Sequence, residues 1–358
     1  MGINGLSRLI NNKAHNGTSN KDLDLLSGKV IMIDASMQIY QCLIAIRQGP
    51  SGQLAASEGE VTSHLTGIFY RTIRLIEAGI KPVYVFDGKP PLLKKKELDK
   101  RNERQAQALS ELKLTDDATE VEKQEKRSVR ATREHSEEVK KMLTLMGIPV
   151  IQAPCEAEAT CAAYVKTGKA YATATEDMDS LTFGSTYVIR HINSTDQKKQ
   201  PTVEYSLPNI LNDMGITMDQ FIEICILSGC DYTKTIKGIG PTRAYQLIQE
   251  HSTIENVLDV LKKKHGEEQF STMVPDDYPI EAVRDLFNNP DVDITQELTW
   301  NTINRDALIA FLVEEKKFSA DRVNKGCDRI LAAKAKGTQH RINHFFKVKQ
   351  TPVGQKRK

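Results

Sequence analysis

Residues 29–34, KVIMID, decide the fold, because this short apolar run ends in a carboxylate. Residues 82–88, PVYVFDG, repeat the pattern and add a turn glycine, and residues 170–177, AYATATED, end in two acids. Apolar runs of this length are typical of buried strands, and helix-forming segments alternate with them along the chain. The sequence therefore predicts an α/β fold in which helices flank a mostly parallel central sheet.

Charge and composition divide the chain further. Residues 94–141 are dense in charge of both signs and poor in large apolar side chains until Val139, which predicts an exposed helical excursion. Residues 334–358 contain lysines and arginines but no acid. We assign an N-terminal region at 1–105, the charged excursion at 106–141, an internal region at 120–251 that overlaps it, a C-terminal helical region at 252–333 and a basic tail at 334–358.

Composition argues against several classes of protein. No apolar run approaches the roughly 18–20 residues that span a bilayer, and the first residues do not match a secretion signal. Leu6 occupies the position where N-myristoylation requires Ser or Thr. The six cysteines form no C-x-x-C pair, so we interpret them as reduced thiols in a cytosolic or nuclear protein. The net charge of +2 by itself indicates nothing about nucleic acid.

The predicted strands bring acids together. Carboxyl ends of parallel strands lie at one edge of a sheet, where ligands bind. The acids that follow the three strands are Asp34, Asp87, Asp177 and Asp179. Asp231, which follows an apolar helix, is a further candidate.

Glu156 and Glu158 add two more carboxylates just before a predicted helix that runs towards Val165. A spacing of two puts side chains on one side of extended backbone but about 200° apart on a helix. We therefore expect both glutamates on the extended segment that precedes the helix, and not within it.

Seven carboxylates in one crevice repel one another, and the repulsion forces protonation unless cations neutralise the charge. Ligation by oxygen alone, without histidine or cysteine, favours Mg²⁺, for which Mn²⁺ can substitute. Two such ions roughly 3.5–4 Å apart would activate a water and stabilise both the attacking and the leaving oxygen of a phosphodiester. A single strand-end aspartate often only caps a helix, but the whole set favours a metal-dependent nuclease.

Residues 236–244, IKGIGPTRA, predict a glycine-rich hairpin that leads into a helix with Pro241 in its first turn. Gly238 and Gly240 let backbone N–H groups approach a phosphate, and the N-terminus of the helix that carries Arg243 favours the anion. Such a contact does not read base sequence. The segment therefore predicts binding to a nucleic-acid backbone.

Lys94 and Arg101 lie seven residues apart, which is about 10.5 Å along one face of a helix. They could flank a scissile phosphate and stabilise its charge. The spacing alone equally fits two solvated members of a charged helix.

The basic tail contains apolar anchors at residues 339–346, QHRINHFF. Ile342, Phe345 and Phe346 are at helical spacing, which predicts a partner with a hydrophobic pocket. The alternative is that this segment folds back on its own domain.

Several segments, in order along the whole chain, closely resemble the flap endonucleases of the structure-specific 5′ nuclease superfamily. They are residues 1–6 (MGINGL), 33–36 (IDAS), 85–91 (VFDGKPP), 156–159 (EAEA), 175–179 (TEDMD) and 238–241 (GIGP). In combination these motifs are very specific. The resemblance implies a PIN-like nuclease core across the N-terminal and internal regions, a helical arch over the active site, and a helix–hairpin–helix element that binds duplex DNA.

The resemblance also implies roles for single residues. The first of two Mg²⁺ ions would be held by Asp34, Asp87, Glu156 and Glu158, and the second by Asp177, Asp179 and Asp231. Lys94 and Arg101 would be catalytic residues at the base of the arch. DNA contacts are implied for Gly2, Tyr40, Arg47, Arg71, Glu156, Gly229, Asp231, Gly238, Gly240 and Arg243. Tyr40 would stack on a base, and carbonyls near Thr235, Ile236 and Ile239 would hold K⁺.

The tail octet is similar to the motif that docks onto the replication sliding clamp, the trimeric proliferating cell nuclear antigen, through Gln339, Ile342, Phe345 and Phe346. The family implies a monomer that removes 5′ flaps from branched DNA, with a weaker 5′→3′ exonuclease activity. It would act in Okazaki fragment maturation and long-patch base excision repair, in the nucleus, including nucleolus and nucleoplasm, and also in the mitochondrion, and not at a membrane.

One departure concerns the hairpin: Thr242 stands where related proteins often carry a lysine, which predicts a weaker phosphate contact. Two other functions stay open on the residues alone. One is a non-catalytic DNA-structure binder or clamp adaptor, and the other is a metal-dependent nuclease that acts on RNA or on DNA bubbles.

Overall fold

The computed structural model describes residues 2–3, 5–45, 62–112, 114, 117–194, 200–275 and 277–335. Within these ranges seven strands form one sheet: β1 (Thr18–Asn20), β2 (Val30–Asp34), β3 (Lys81–Phe86), β4 (Val150–Gln152), β5 (Ala172–Ala174), β6 (Tyr187–Arg190) and β7 (Val203–Ser206). Their order is β1-β7-β6-β5-β2-β3-β4. Strands β6, β5, β2, β3 and β4 are parallel to one another. At one edge of the sheet, β7 runs antiparallel to both of its neighbours, β6 and β1. The predicted mostly parallel α/β sheet is confirmed.

Helices cover the sheet in the described part of the chain. The first group is α1 (Leu6–Lys13), α2 (Ala35–Ala45), α3 (Ser63–Glu77), α4 (Lys95–Leu112), α5 (Ala118–Ser128), α6 (Arg133–Leu145), α7 (Ala157–Lys166) and α8 (Asp179–Thr182). The second group is α9 (Leu207–Met214), α10 (Met218–Ser228), α11 (Pro241–His251), α12 (Ile254–Met273), α13 (Ile280–Asn288), α14 (Arg305–Ile309), a π-helical turn (Ala310–Glu315) and α15 (Ala320–Ala335). No described helix is both long and apolar enough to cross a bilayer.

Side chains of the central strands point alternately to the two faces of the sheet, so a hydrophobic cluster forms on each face. Ile33 and Tyr84 point to one face of the sheet, where they pack with α3, α6 and α15, and Met32 and Val83 point to the other face, against α7. A third cluster joins α1 with α9 to α13. The apolar strands are buried on both faces because helices cover both, as is usual for parallel sheets.

Strand β5 is shorter than the apolar pattern at 170–177 predicts, because it ends at Ala174. The backbone N–H of Asp177 donates to Thr175 Oγ1 at 3.1 Å, and the carboxylate of Glu176 accepts from the N–H of His191 at 2.8 Å. These bonds replace the sheet ladder, so Glu176 and Asp177 lie on a loop at the carboxyl edge of the sheet, and Asp179 begins α8.

The charged excursion consists of α4 and α5, which pack on each other. It begins at Lys95 and ends at Ser128, so it starts and ends earlier than the predicted 106–141. The reason is that α6 already returns to the core through Val139, Met142 and Leu143.

The C-terminal helical region is not separate from the N-terminal one. A Cβ placed at Gly326 of α15 would lie 2.5 Å from the Phe69 ring of α3, so the two helices approach as closely as a glycine allows. Helix α15 continues to Ala335, past the predicted start of the tail at 334. The regional boundaries drawn from composition therefore do not mark independent folding units.

Candidate active site

Asp34 and Asp87 lie at the carboxyl edge of the sheet, because Asp34 ends β2 and Asp87 follows the last residue of β3. Asp34 Oδ1 accepts a hydrogen bond from the Met37 N–H at 3.0 Å, and Asp87 Oδ1 accepts one from the Ala157 N–H at 2.8 Å. Both carboxylates therefore stabilise a helix N-terminus as well as facing the cavity described below.

Glu156 precedes α7 as its cap residue, with extended backbone (φ −82°, ψ 133°), and Glu158 lies in the first turn of that helix. The prediction that both glutamates stand before the helix is wrong for Glu158. Helical geometry begins directly after the cap residue, so the spacing of two crosses the boundary. Both side chains nevertheless face the same cavity.

Asp177 and Asp179 are held by the backbone around them. The N–H of Asp179 donates to Asp177 Oδ1 at 3.1 Å, and the N–H of Ile3 donates to Asp179 Oδ1 at 3.1 Å. Gly2, at φ 68°, lies against both acids, because a Cβ there would be 1.9 Å from Asp177 Oδ1. The beginning of the described chain thus forms one wall around these two carboxylates.

Asp231 follows α10 in a loop that turns at Gly229, whose φ is 85°. A Cβ at position 229 would lie 2.4 Å from Thr235 Cγ2, so the loop closes only with glycine. Gly229, which sequence resemblance assigns to DNA contact, therefore also has a structural role.

A cavity of about 1220 Å³ lies between the carboxyl edge of the sheet and the α4–α5 pair. The predicted acids that line it are Asp34, Asp87, Glu156, Glu158, Asp177 and Asp231, and the predicted residues Gly2, Tyr40, Lys94, Arg101 and Gly229 line it as well. Asp179 does not line the cavity but is buried next to Asp177. The structure thus brings the predicted carboxylates and both predicted catalytic cations together.

The two cations bind the acids directly. Lys94 Nζ contacts Glu156 and lies 3.4 Å from Asp231 Oδ2, and Arg101 Nη2 donates to the same oxygen at 2.6 Å. Burial by itself would lower the pKa of Lys94. The negative charges of Glu158, Glu156 and Asp231 raise it by more than burial lowers it, so the pKa lies above its usual value and the ammonium stays charged. Burial likewise opposes charge on Arg101, while Asp231 raises its pKa above the usual value. Lys94 and Arg101 are therefore not merely solvated members of a charged helix.

Negative charge exceeds what these cations compensate. Burial and the neighbouring Asp87 raise the pKa of Asp34 to about 7. Burial also raises the pKa of Glu156, Glu158, Asp177 and Asp179, and neighbouring carboxylates add to the shift in each case. The protein therefore holds carboxylates that resist ionisation unless positive charge is added to the cavity.

Carboxylate oxygens are the donors in this cluster, and no histidine lines the cavity in the described part of the chain. This donor chemistry fits hard divalent cations such as Mg²⁺ and Mn²⁺. Within that part of the chain no three Asp, Glu, His or Cys side chains group closely enough to surround one ion. The acids share a cavity without a closed coordination shell, while Lys94 and Arg101 are bonded to two of them.

The predicted DNA-contacting residues outside the cavity lie on two elements. Arg71 of α3 donates to Gln38 Oε1 at 2.9 Å, which ties α3 to α2. Gly238 and Gly240 precede α11 with open space around their Cβ positions, and Arg243 lies exposed in its first turn. Arg47 and the tail residues Gln339, Ile342, Phe345 and Phe346 lie outside the described residues.

Sequence reasoning missed two groups that hold the acids. The Thr175 hydroxyl lies 3.4 Å from Asp34 Oδ2 and accepts from the Asp177 N–H, so it links acids of the two predicted metal sets. The backbone N–H of Ile3 binds Asp179 across 176 residues. A polar residue directly before the Glu176–Asp177 pair was a usable signal for Thr175, but no local signal marks Ile3.

Comparison with known proteins identifies the family. The profile described as "XPG N-terminal domain" matches residues 1–108, and the one described as "XPG I-region" matches residues 147–231. Flap endonuclease 1 of Nematostella vectensis is 47% identical over 363 residues, which cover 100% of this chain and 94% of that protein. This chain belongs to the flap endonuclease family. Flap endonuclease 1 of Danio rerio, 49% identical over 97% of this chain and 91% of that protein, agrees.

Solved structures of the flap endonuclease family and its relatives share the fold. Flap endonuclease-1 from Methanococcus jannaschii aligns with a TM-score of 0.69 and 33% identity, over 90% of this chain and 97% of that chain. The catalytic core of Rad2 in complex with DNA substrate aligns with a TM-score of 0.69 and 27% identity, over 92% and 99%. As a flap endonuclease, this protein is a structure-specific nuclease that hydrolyses DNA phosphodiester bonds, which confirms the predicted enzyme class.

Proposed function

We propose that this flap endonuclease cuts DNA near the junction of single and double strand and releases 5′ flaps, using two divalent ions held by its acid cluster. The observation that carries the proposal is the cavity, where carboxylates at the sheet edge face Lys94 and Arg101 beneath the α4–α5 pair. A weaker 5′→3′ exonuclease activity would use the same cavity, because a 5′ end is the limiting case of a short flap.

The two ions would divide the acids according to position. The first would be held by Asp34, Asp87, Glu156 and Glu158, and the second by Asp177, Asp179 and Asp231. When bound, such ions supply Lewis-acid stabilisation of phosphate charge and an activated water. The chain orients the acids through backbone N–H groups, which are those of Met37 for Asp34, Ala157 for Asp87 and Ile3 for Asp179.

Lys94 and Arg101 would bind the phosphate that is cut. Both are bonded to acids that would also serve as metal ligands, Lys94 to Glu156 and Arg101 to Asp231, so both stand where a phosphate at the ions could be bound. They line the same cavity as Asp34 and Asp177, so the phosphate would bind next to both the cations and these acids. Such donors stabilise charge that grows in the transition state.

The hairpin before α11 would bind the duplex part of the substrate. Gly238 and Gly240 leave the N-terminus of α11 open to a phosphate, and Arg243 adds a charge. A K⁺ ion held by carbonyls near Thr235, Ile236 and Ile239 would strengthen the anion site. The Ile236 carbonyl already accepts from the Ile239 N–H at 3.0 Å, so its second lone pair would serve the ion.

Residues 339–346 would dock onto the sliding clamp of replication, through Gln339 and the apolar side chains Ile342, Phe345 and Phe346. Support for this comes from the sequence, which places apolar anchors at helical spacing in a basic tail. Clamp binding would place the enzyme at sites of DNA synthesis in the nucleus, with a mitochondrial share. Loss of clamp binding in a Phe345→Ala, Phe346→Ala double variant, with unchanged cleavage of free DNA, tests this.

The principal experiment compares matched 5′-flap, bubble and hairpin DNAs and an RNA flap, each with Mg²⁺ and with EDTA. We expect cleavage of the 5′ flap near the junction, and none with EDTA. Asp179→Ala should bind the flap while its cleavage rate falls by orders of magnitude. Preferred cleavage of bubbles or RNA, or Mg²⁺-dependent binding without any cleavage, would refute the proposal.

A further inference from the structure

Gln124, on α5, is buried at 4% exposure, and its side-chain carbonyl Oε1 has no hydrogen-bond partner in the part of the chain that the structure describes. The residue lines the cavity beneath α4 and α5. A buried carbonyl without a donor destabilises the fold, because it has lost water and gained nothing in return. At a cavity wall, such an acceptor indicates a ligand that supplies the donor.

Helices α4 and α5, which we call the arch, fix where this carbonyl lies. Gln105 Nε2 on α4 donates to the Ser128 carbonyl on α5 at 2.9 Å. One helical turn beyond that bond, Ala108 and Gln124 are both buried, at 2% and 4% exposure. The Ala108 methyl has no donor to offer, so the wall of the arch leaves the Gln124 acceptor unsatisfied.

The position along the arch sets a distance from the acid cluster. Arg101, which bonds to Asp231, marks the lower end of α4 at the acids. Ala108 lies seven residues further, about 10.5 Å along the helix. At about 3.4 Å per stacked nucleotide, this corresponds to roughly three nucleotides. Lys100, Arg104 and Arg130 also line the cavity, which suits a phosphate chain.

A single strand offers few groups that an acceptor can bind. Phosphates and deoxyriboses only accept hydrogen bonds, so a DNA strand can donate solely through the N–H groups of its bases. A ribonucleotide adds one further donor, the 2′-hydroxyl. Base N–H groups and the 2′-hydroxyl have in common that each is an uncharged hydrogen-bond donor of a nucleotide.

We propose that Gln124 Oε1 is a binding subsite for a hydrogen-bond donor of the single strand beneath the arch, roughly three nucleotides from the cut. The proposal rests on the proposed function, in which the single strand of the flap occupies this cavity. It assigns to the arch a contact with the nucleotide itself, in addition to the charge contacts that its lysines and arginines make with phosphates.

The test is single-turnover cleavage by the full chain on 5′-flap DNA, in which the second, third and fourth flap nucleotides are made abasic one at a time. Gln124→Leu keeps the size of the side chain and removes the acceptor. Its matched control is Gln269→Leu, because Gln269 is exposed on α12 and does not line the cavity. Gln124→Met carries the test if melting shows that the Leu variant does not fold.

We expect Gln124→Leu to slow cleavage of the unmodified flap about 3- to 10-fold, the effect of one neutral hydrogen bond. One abasic position should slow the wild type by the same factor and leave the variant unaffected. An abasic ribose at that position restores the wild-type rate if the 2′-hydroxyl can be the donor, and a base N–H is the donor if it does not.

Equal sensitivity of wild type and variant to every abasic position would overturn the subsite, because the effects would then be uncoupled. A variant as fast as the wild type on the unmodified flap would overturn it too. If the wild type leaves the unmodified flap intact, the proposed function itself fails. Wild-type cleavage without coupling refutes the subsite alone.

Discussion

The two walls of the cavity are built differently. The acidic wall belongs to the sheet. Its parallel register places Asp34 opposite Val85, which is two residues before Asp87. Backbone N–H groups hold both carboxylates in place. The basic wall belongs to α4 and α5, which pack mainly on each other. Arg101 of α4 and Lys94, which directly precedes α4, bond to the acids.

The difference separates two tasks. Groups that hold a metal ion need fixed positions, and strand ends in a buried sheet provide them. A charged polymer must enter the cavity, and a helical pair outside the core can adjust to it. Substitutions in the acidic wall should therefore abolish chemistry without loosening the fold, and substitutions in the basic wall should weaken charge stabilisation.

The largest effect is expected from Asp34→Asn, which removes the charge of a proposed metal ligand while keeping its shape. Cleavage of a 5′ flap should fall by about 10³-fold or more, since the activated water and the stabilised leaving oxygen both depend on the ions. Asp259→Asn, on the exposed side of α12, is the control and should cleave as the wild type does. Cleavage by Asp34→Asn within tenfold of the wild type would contradict the metal-ligand role.

Arg101→Ala tests the basic wall. We expect flap cleavage to fall about 10²- to 10³-fold, the usual cost of one donor aimed at transition-state charge. Arg329→Ala is the matched control, because Arg329 also donates to a carboxylate, at 2.7 Å to Glu77, but far from the cavity. If both variants lose the same factor, Arg101 acts through folding and the basic wall has no catalytic part.

Gly2→Ala tests the contact between the start of the described chain and the acidic wall. The added Cβ collides with Asp177 Oδ1 at 1.9 Å, so the acids must shift, and cleavage should fall about 10- to 100-fold. Gly168→Ala is the control: its φ of 74° brings the same backbone strain, but nothing lies within 4 Å of its Cβ. Unchanged cleavage by Gly2→Ala would show that the Gly2 contact does not position Asp177.

The smallest effect concerns stability without metal. The folded pKa of Asp34, about 7, exceeds its unfolded value, so the folded state binds the proton more tightly and loses stability as pH rises from about 4 to 7. Asp34→Asn removes this loss. In EDTA, the Tm of the variant should exceed that of the wild type by an amount that grows between pH 4 and 7 and reaches roughly 2–5 °C.

A Tm difference that stays constant with pH would show that Asp34 does not titrate in this range. Saturating Mg²⁺ should abolish the wild-type loss, because bound cations compensate the charge, and this serves as the internal control.

The strand-end acids were predictable because apolar runs ending in Asp34 and Asp87 carry their position in the local pattern. Glu158 was placed wrongly because the point where α7 begins depends on the Asp87 bond to Ala157, which is not a local property. The contact of Ile3 with Asp179 could not be read from sequence at all, since 176 residues separate the two. Family resemblance supplied the proposed roles of Lys94 and Arg101, which spacing left undecided.

Strand β2 has a consequence for how the chain reaches this structure. It pairs on one side with β3 and on the other with β5, where Ile31 lies opposite Ala172, 141 positions later (172 minus 31). The entropy cost of closing so long a loop comes before the strand contacts can stabilise the sheet. The middle of the sheet therefore forms late and slowly. A ribosome-bound chain therefore exposes one side of β2 until β5, near the middle of the 358-residue chain, has been made, and chaperone protection of that edge is an expected requirement of its synthesis.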